Sequence, residues 1–268
     1  MYKELSHFNI DHLIKIRLHL GHKDTLLNKK INSYLYGTRH NINIYDINKL
    51  WKSFRYLFYN FSELFAVRSS FFIVGTNQNL PMEKLLKNLM KTYPFSIEDS
   101  LKQEITYNSF YISGFVDKKW IGGLFSNWNI FYDFIDYLQN YSFTEKTQHR
   151  FQKYFYYLQG ISNLQKMPIP DFILMLNKDV TALKEIKQLE IPMIGLVDTD
   201  MDPDDFIYKF FSNNDSIETI EFLFTFLNET AKEGRLKEQE KFLFYLILKI
   251  KKKLYQSRRK KYGKKNKI

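Results

Sequence analysis

Ile191-Pro-Met-Ile-Gly-Leu-Val-Asp-Thr-Asp-Met-Asp-Pro203 decides the fold class. Met193 to Val197 is an unbroken run of apolar and glycine positions that stops abruptly in acidic and turn-forming residues. A short run without polar alternation reads as a strand buried on both faces, as strands of a parallel sheet are. Ligands of α/β proteins sit at the carboxyl edge of such a sheet, so Asp198, Thr199, Asp200 and Asp202 are the first candidates for chemistry.

Working outward, the same grammar recurs. Phe172-Ile-Leu-Met-Leu176 and Phe71-Phe-Ile-Val74 are further buried strands, and Phe110-Tyr-Ile-Ser113 is another, ending at Gly114. Helices are expected from Asp46 to about Ala66, from Pro81 to Met90, from Val180 to Leu189 and from Ser216 to Ala231, the first capped by Asp46. A last helix starts near Leu236 and enters the basic C-terminus. Near the N-terminus, Phe8, Leu13, Ile16 and Leu20 recur at helical spacing up to Gly21. A loop-like basic stretch follows, then the alternating Ile42-Asn-Ile-Tyr45. Ile130 to Leu164 is helical with a break near Ser142 to Thr144, which predicts an αα-hairpin projecting from the sheet. Strand and helix alternation without internal repeats gives an α/β protein, a doubly wound parallel sheet interrupted by a helical hairpin. The expected organisation is a globular domain over 1–128 and 165–235, a hairpin over 129–164, and a C-terminal helix and basic tail over 236–268.

Composition restricts function. The 268 residues contain no cysteine, which excludes disulfides, thiolate metal sites and cysteine nucleophiles. Asn, Ile, Lys, Phe and Tyr make up 122 residues, whereas Ala numbers 3, Gly 10 and Pro 6. Codons of the abundant group start with two A or T letters and those of the scarce group do not, so the gene is inferred to be AT-rich, as in many organellar genomes. The first residues lack both an apolar signal core and an Arg-rich presequence, so an organellar protein of this kind is expected to be made inside the organelle. No apolar run reaches the roughly 20 residues of a membrane span. The net charge of +11 is localised: residues 249–268 carry eleven Lys or Arg and no acid, and the remainder has 29 basic and 29 acidic residues. A block of like charge serves as an arm for a polyanion, or as a solubilising tail.

The catalytic candidates are thin. Asp198 to Asp204 superficially resembles a calcium loop, but Pro203 replaces the glycine that the sharp turn needs and Lys209 replaces the twelfth-position glutamate. A magnesium site on Asp198 and Asp200 would lack the glycine loop that cradles phosphate, since the turn after Val74 holds only Gly75. Asp198 and Asp202 otherwise cap turns beside Pro203. His19 and His22 could share a helix face as zinc ligands do, but no further ligand is evident. Lys29, Lys30, Tyr34, Tyr36, Arg39, His40 and Asn41 mix cations, hydrogen-bonding groups and rings in the way that phosphate contact and base stacking require.

The order of motifs resembles the bacterial and organellar small-subunit ribosomal protein S2 family. His19-Leu-Gly-His22 resembles its HFGH element, Asn28-Lys-Lys-Ile31 part of WNPKM, and Tyr34-Leu-Tyr-Gly-Thr-Arg39 its YIFGxR element. Phe72-Ile-Val-Gly-Thr76 resembles FVGT, and Trp120-Ile-Gly-Gly-Leu-Phe-Ser-Asn-Trp128 resembles RWLGGTLTNW. Pro170-Asp171, Ile191-Pro192, Asp198 to Pro203 and Asn214-Asp215 correspond to its PD, IP, DTNxDP and GNDD positions. The likeness spans about residues 13 to 231. This chain departs from the family at Asn77-Gln78-Asn79, at Phe210 to Ser212, in a short hairpin, and beyond Lys249.

The resemblance implies a Rossmann-like (flavodoxin-like) parallel sheet with helices on both faces and an inserted coiled-coil hairpin. It also implies a non-enzymatic structural role without a cofactor, small-molecule substrate or metal, in contact with small-subunit rRNA and other small-subunit ribosomal proteins. With the composition, it points to the mitochondrion ahead of the plastid. Expected RNA contacts are His19, His22, Lys29, Lys30, Arg39, His40, Asn41, Asn127, Lys251, Lys252, Lys253, Arg258, Arg259, Lys260 and Lys261. Gly21, Gly75, Trp120, Gly122, Gly123, Trp128, Asp198, Asp202 and Pro203 are expected to hold the structural motifs. The alternatives are a magnesium-dependent α/β enzyme using Asp198 and Asp200, and a peripheral membrane protein held by the tail.

Overall fold

A computed structural model describes residues 10–76, 112–140, 145–161 and 170–265. The helix expected from Pro81 to Met90 and the Asn77-Gln78-Asn79 departure lie outside them. In chain order the elements are α1 (Ile10–Lys15), β1 (Leu20–Lys23), β2 (Leu35–Arg39), β3 (Ile42–Tyr45), α2 (Ile47–Ala66), β4 (Phe71–Val74), β5 (Ile112–Val116), α3 (Trp128–Asn140), α4 (Glu145–Leu158), β6 (Phe172–Met175), α5 (Val180–Gln188), β7 (Met193–Val197), β8 (Tyr208–Phe211) and α6 (Ile217–Lys265).

Five strands form a parallel sheet in the order β5-β4-β6-β7-β8. Counted along the chain from β4 this is 2-1-3-4-5, the flavodoxin-like winding. The apolar runs explain it: β4 and β7 are buried at every position, so both faces of the sheet must be covered. Successive residues point to opposite faces. Phe71 packs on Phe61 and Phe65 of α2, while Phe72 meets Trp120 and Phe125 edge-on from the other side. On the first face, Phe54, Phe61, Phe210 and Phe226 interlock among α2, β8 and α6.

Several expectations change. The N-terminal helix does not reach Gly21; Arg17 takes a positive φ of 58°, buried Leu18 anchors the turn, and His19-Leu-Gly-His22 enters β1. His19 and His22 therefore share no helix face. The basic "loop" contains two strands of an antiparallel sheet ordered β1-β3-β2. His40 and Asn41 form its two-residue turn with φ of 51° and 61°, positive at both centres as a tight hairpin of this twist requires. Phe110 and Tyr111 of the strand expected at Phe110 to Ser113 lie outside the described residues; β5 is described from Ile112 and continues through Gly114 to Val116. Phe210 and Phe211, where the chain departs from the family, lie in the edge strand β8. The two C-terminal helices are one, α6, because nothing between Ala231 and Leu236 breaks it: Gly234 stays helical. Of the hairpin, α3 and α4 meet through Phe134 against Phe151 and Tyr154, an aromatic contact that does not establish coiled-coil packing.

Candidate functional site

The antiparallel ribbon sits against the carboxyl end of β7. Gly21 makes this approach close: a Cβ there would lie 2.5 Å from Thr199 Cγ2 and 3.3 Å from Asp198 Oδ1. The backbone N–H of His22 donates to Thr199 Oγ1 at 2.8 Å, that of Asn28 donates to the Thr199 carbonyl at 2.8 Å, and the Tyr45 hydroxyl donates to the Val197 carbonyl at 3.2 Å. Asp198, fully buried, accepts from the backbone N–H of Thr199 at 2.6 Å and of Asn214 at 3.1 Å. The His22 imidazole is surrounded by Asp198 (4.0 Å), Asp200 (3.6 Å) and Asp215 (3.5 Å). Lys178 approaches Asp200 at 3.3 Å. Lys30 bridges Asp202 at 2.8 Å and Asp204 at 2.6 Å, and the hydrogen bonds it donates to Asp202 and then Asp204 raise its pKa. Asp202 also accepts from the N–H of Asp204, capping the 3-10 turn that begins at Pro203.

This edge is therefore a clasp between two parts of one chain. The acids that sequence marks for catalysis hold backbone amides, a histidine and lysines of their own molecule, and nothing supports the magnesium-dependent alternative. Among the described residues no group of three or more His, Asp or Glu side chains is arranged to hold a metal ion. No described helix is long and apolar enough to cross a membrane. The topological switch point lies between β4 and β6, and their ends are tied together: Asn177 accepts from the Thr76 N–H and donates to the Thr76 hydroxyl, each at 2.9 Å. Gly75 packs against Leu176.

Burial, ahead of the opposing attraction of His22, raises the Asp198 pKa from 3.8 to about 6. The folded chain then holds a proton that the unfolded chain has released, so this residue's contribution to stability is present below pH 3.8 and is lost as pH rises through about 6. Urea unfolding between pH 4 and 7 is expected to show a decline across this window in wild type relative to Asp198→Asn. A constant difference between the two would refute the assignment.

A second cluster explains the Trp120 to Trp128 segment. Glu185, 7% exposed on the inner face of α5, accepts from Trp120 Nε1 (2.9 Å), the N–H groups of Gly123 (2.9 Å), Phe125 (2.8 Å) and Ser126 (3.1 Å), and the Ser126 hydroxyl (3.3 Å). Gly123 takes φ of +85° to turn its amide inward. Burial alone would raise the Glu185 pKa; the donors from Ser126, Trp120, Phe125 and Gly123 outweigh it and lower the pKa. A cavity of about 340 Å³ lies beside this nest, lined by Gly122, Thr181 and Lys184 among others.

The sequence-derived residues thus fall into separate groups. Gly21, His22, Lys30, Asp198, Asp202 and Pro203 meet at the clasp, leaving Lys30 and His22 engaged by carboxylates. His19 is half-buried with Nδ1 unpartnered and its pKa lowered by burial. Lys29, Arg39, His40 and Asn41 are exposed, the last three at the hairpin end. Trp120, Gly122, Gly123 and Trp128 surround the Glu185 nest, and exposed Asn127 precedes α3. Lys251, Lys252, Lys253, Arg258, Arg259, Lys260 and Lys261 lie on distal α6, far along the chain from the other groups. Sequence reasoning missed Glu185 and Asn177. For Glu185 a signal was present: it shares a helix face with buried Ala182 and Ile186, where an acid needs internal donors.

A flavodoxin-like α/β protein whose sheet edge is filled by its own ribbon is scaffold-like in build. The family profile described as Ribosomal protein S2 matches residues 13–93 and 98–234, and the chain belongs to that family. It is 25% identical over 251 residues to the small ribosomal subunit protein uS2 of Desulforapulum autotrophicum, covering 88% of this chain and 82% of the relative. The uS2 proteins of Helicobacter acinonychis and Helicobacter pylori are each 26% identical over 242 residues, covering 85% of this chain and 90% and 84% of theirs.

Proposed function

We propose that this protein is a structural constituent of a mitochondrial small ribosomal subunit that binds small-subunit rRNA and neighbouring ribosomal proteins and performs no catalysis. The observation that carries this reading is a family match running through the whole sheet, combined with an edge whose acids are spent on internal contacts. Arg39, His40 and Asn41 at the exposed hairpin end, with Lys29, supply phosphate contacts, and the cations beyond Lys249 add a salt-dependent hold. Lys30 and His22 act indirectly, by fixing the ribbon that presents those groups. The α3–α4 pair, from Trp128 to Leu158, is the inserted unit that faces partner proteins. The mitochondrial assignment rests on the AT-rich residue usage.

Sedimentation of an organellar extract through sucrose at low and high salt tests it. The protein is expected to travel with the small subunit at low salt and to be stripped only when salt displaces basic proteins. Migration as a lone 32.5 kDa chain at low salt would sink the ribosomal reading.

A further inference from the structure

Among the described residues, a continuous run of exposed apolar side chains lies where α6 leaves the body. Its C-terminal-most ion pairs with the body among the described residues are those of Lys237, Glu238 and Lys241 with Glu63 and Arg68 of the α2 end. Immediately beyond comes Phe242-Leu-Phe-Tyr-Leu-Ile-Leu248. Six of these seven residues are 48–63% exposed and Leu246 is half-buried. At about 100° per residue, seven consecutive apolar side chains face every direction, so the helix is apolar around its whole circumference for about 10 Å. Lys249 and ten further cations follow without an acid. The family match stops at residue 234, short of this arm.

We infer that residues 242–248 dock into a neighbouring protein of the small subunit, one with an apolar cleft that closes around the helix and an acidic rim facing Lys249 and the cations after it. This rests on the ribosomal reading. Circumferential exposure selects an enclosing partner: a membrane surface covers one side of a helix lying in its plane, and end-on insertion would drag the cationic block into hydrocarbon. RNA bases would stack on Phe242, Phe244 and Tyr245 but would offer little to Leu243, Leu246, Ile247 and Leu248. A parallel second copy would set two blocks of eleven cations side by side and cover only one stripe of each helix. Enclosure by protein desolvates the entire band, and the acidic rim complements the charge that follows.

The test uses purified native small subunits and the free full-length protein. Hydroxyl-radical footprinting is expected to show several-fold protection of Phe242, Phe244 and Tyr245 in the subunit. Zero-length carbodiimide coupling is expected to join Lys249, Lys251, Lys252 or Lys253 to Asp or Glu of one other subunit protein. Unprotected rings, protection lost on ribonuclease or detergent treatment, or coupling only to a second copy of this chain would each overturn the inference. Absence of the protein from the subunit fraction is the distinct outcome that removes the ribosomal reading itself.

Discussion

Glu185→Ala is expected to destabilise the folded protein by roughly 3–5 kcal/mol, the range for removing a buried charged acceptor and leaving its donors unpaired. The buried Trp120 indole N–H and the amides of Gly123, Phe125 and Ser126 all aim at one carboxylate, and alanine gives them no acceptor within the protein. At this chain length such a loss lowers Tm by about 10 °C. Glu185→Gln retains one carbonyl oxygen but turns an NH2 group toward donors, so it should fall between wild type and alanine. The lowered pKa fixes the sign of the pH effect. The contribution of Glu185 is present above the ordinary carboxylate value of 4.5 and is lost as pH falls below it. Calorimetric Tm values between pH 3.5 and 7 check both points: an alanine variant that melts with wild type at neutral pH would show the nest to be energetically idle.

Gly234→Leu should cost roughly 3 kcal/mol or more, the upper end of the range for overpacking. Here the backbone of α6 crosses α2: a Cβ on Gly234 would meet Phe65 Cβ at 2.6 Å, the Ser62 carbonyl at 2.7 Å and the Ala66 nitrogen at 3.1 Å. Two of those atoms are helix backbone and cannot rotate away, so the helices must separate. Separation loosens the Phe54, Phe58, Phe226 cluster and the pairing of Lys237 with Ser62 and Glu63. Gly234→Ala sets two effects against each other. Helix propensity favours alanine by about 1 kcal/mol, but the contacts are too short for any Cβ, so a net loss is expected. Gly37→Ala is the control, since a Cβ there meets nothing within 4 Å. Chemical denaturation of the three variants decides the matter, and an unchanged midpoint for Gly234→Leu would mean that the crossing yields without cost.

The sheet was largely legible before the structure. β4, β6 and β7 are apolar runs bounded by turn residues, and α2 and α5 begin at Asp46 and Asp179, whose side chains accept from the helix amides. These signals are local: a strand buried on both faces must be apolar throughout, and a helix start needs an acceptor within three residues. The family motifs added order along the chain, which no single motif carried.

Sequence by itself determined the α/β class, the central parallel strands, the position of the cationic block and the family resemblance. The tertiary structure alone decided what the acids after β7 do. His22 and Asp198, or Trp120 and Glu185, are separated by well over fifty residues, and no local pattern records which donor will reach which acceptor. The same holds for β1 and β2, whose mixed polar and glycine content becomes strand only when a neighbouring edge supplies the hydrogen bonds. Gly21 and Gly234 make the point most directly: Gly21 reads in sequence as a helix end, but in the fold it is where the ribbon meets the Thr199 side chain too closely for a Cβ, and Gly234 is where α6 meets the backbone of α2.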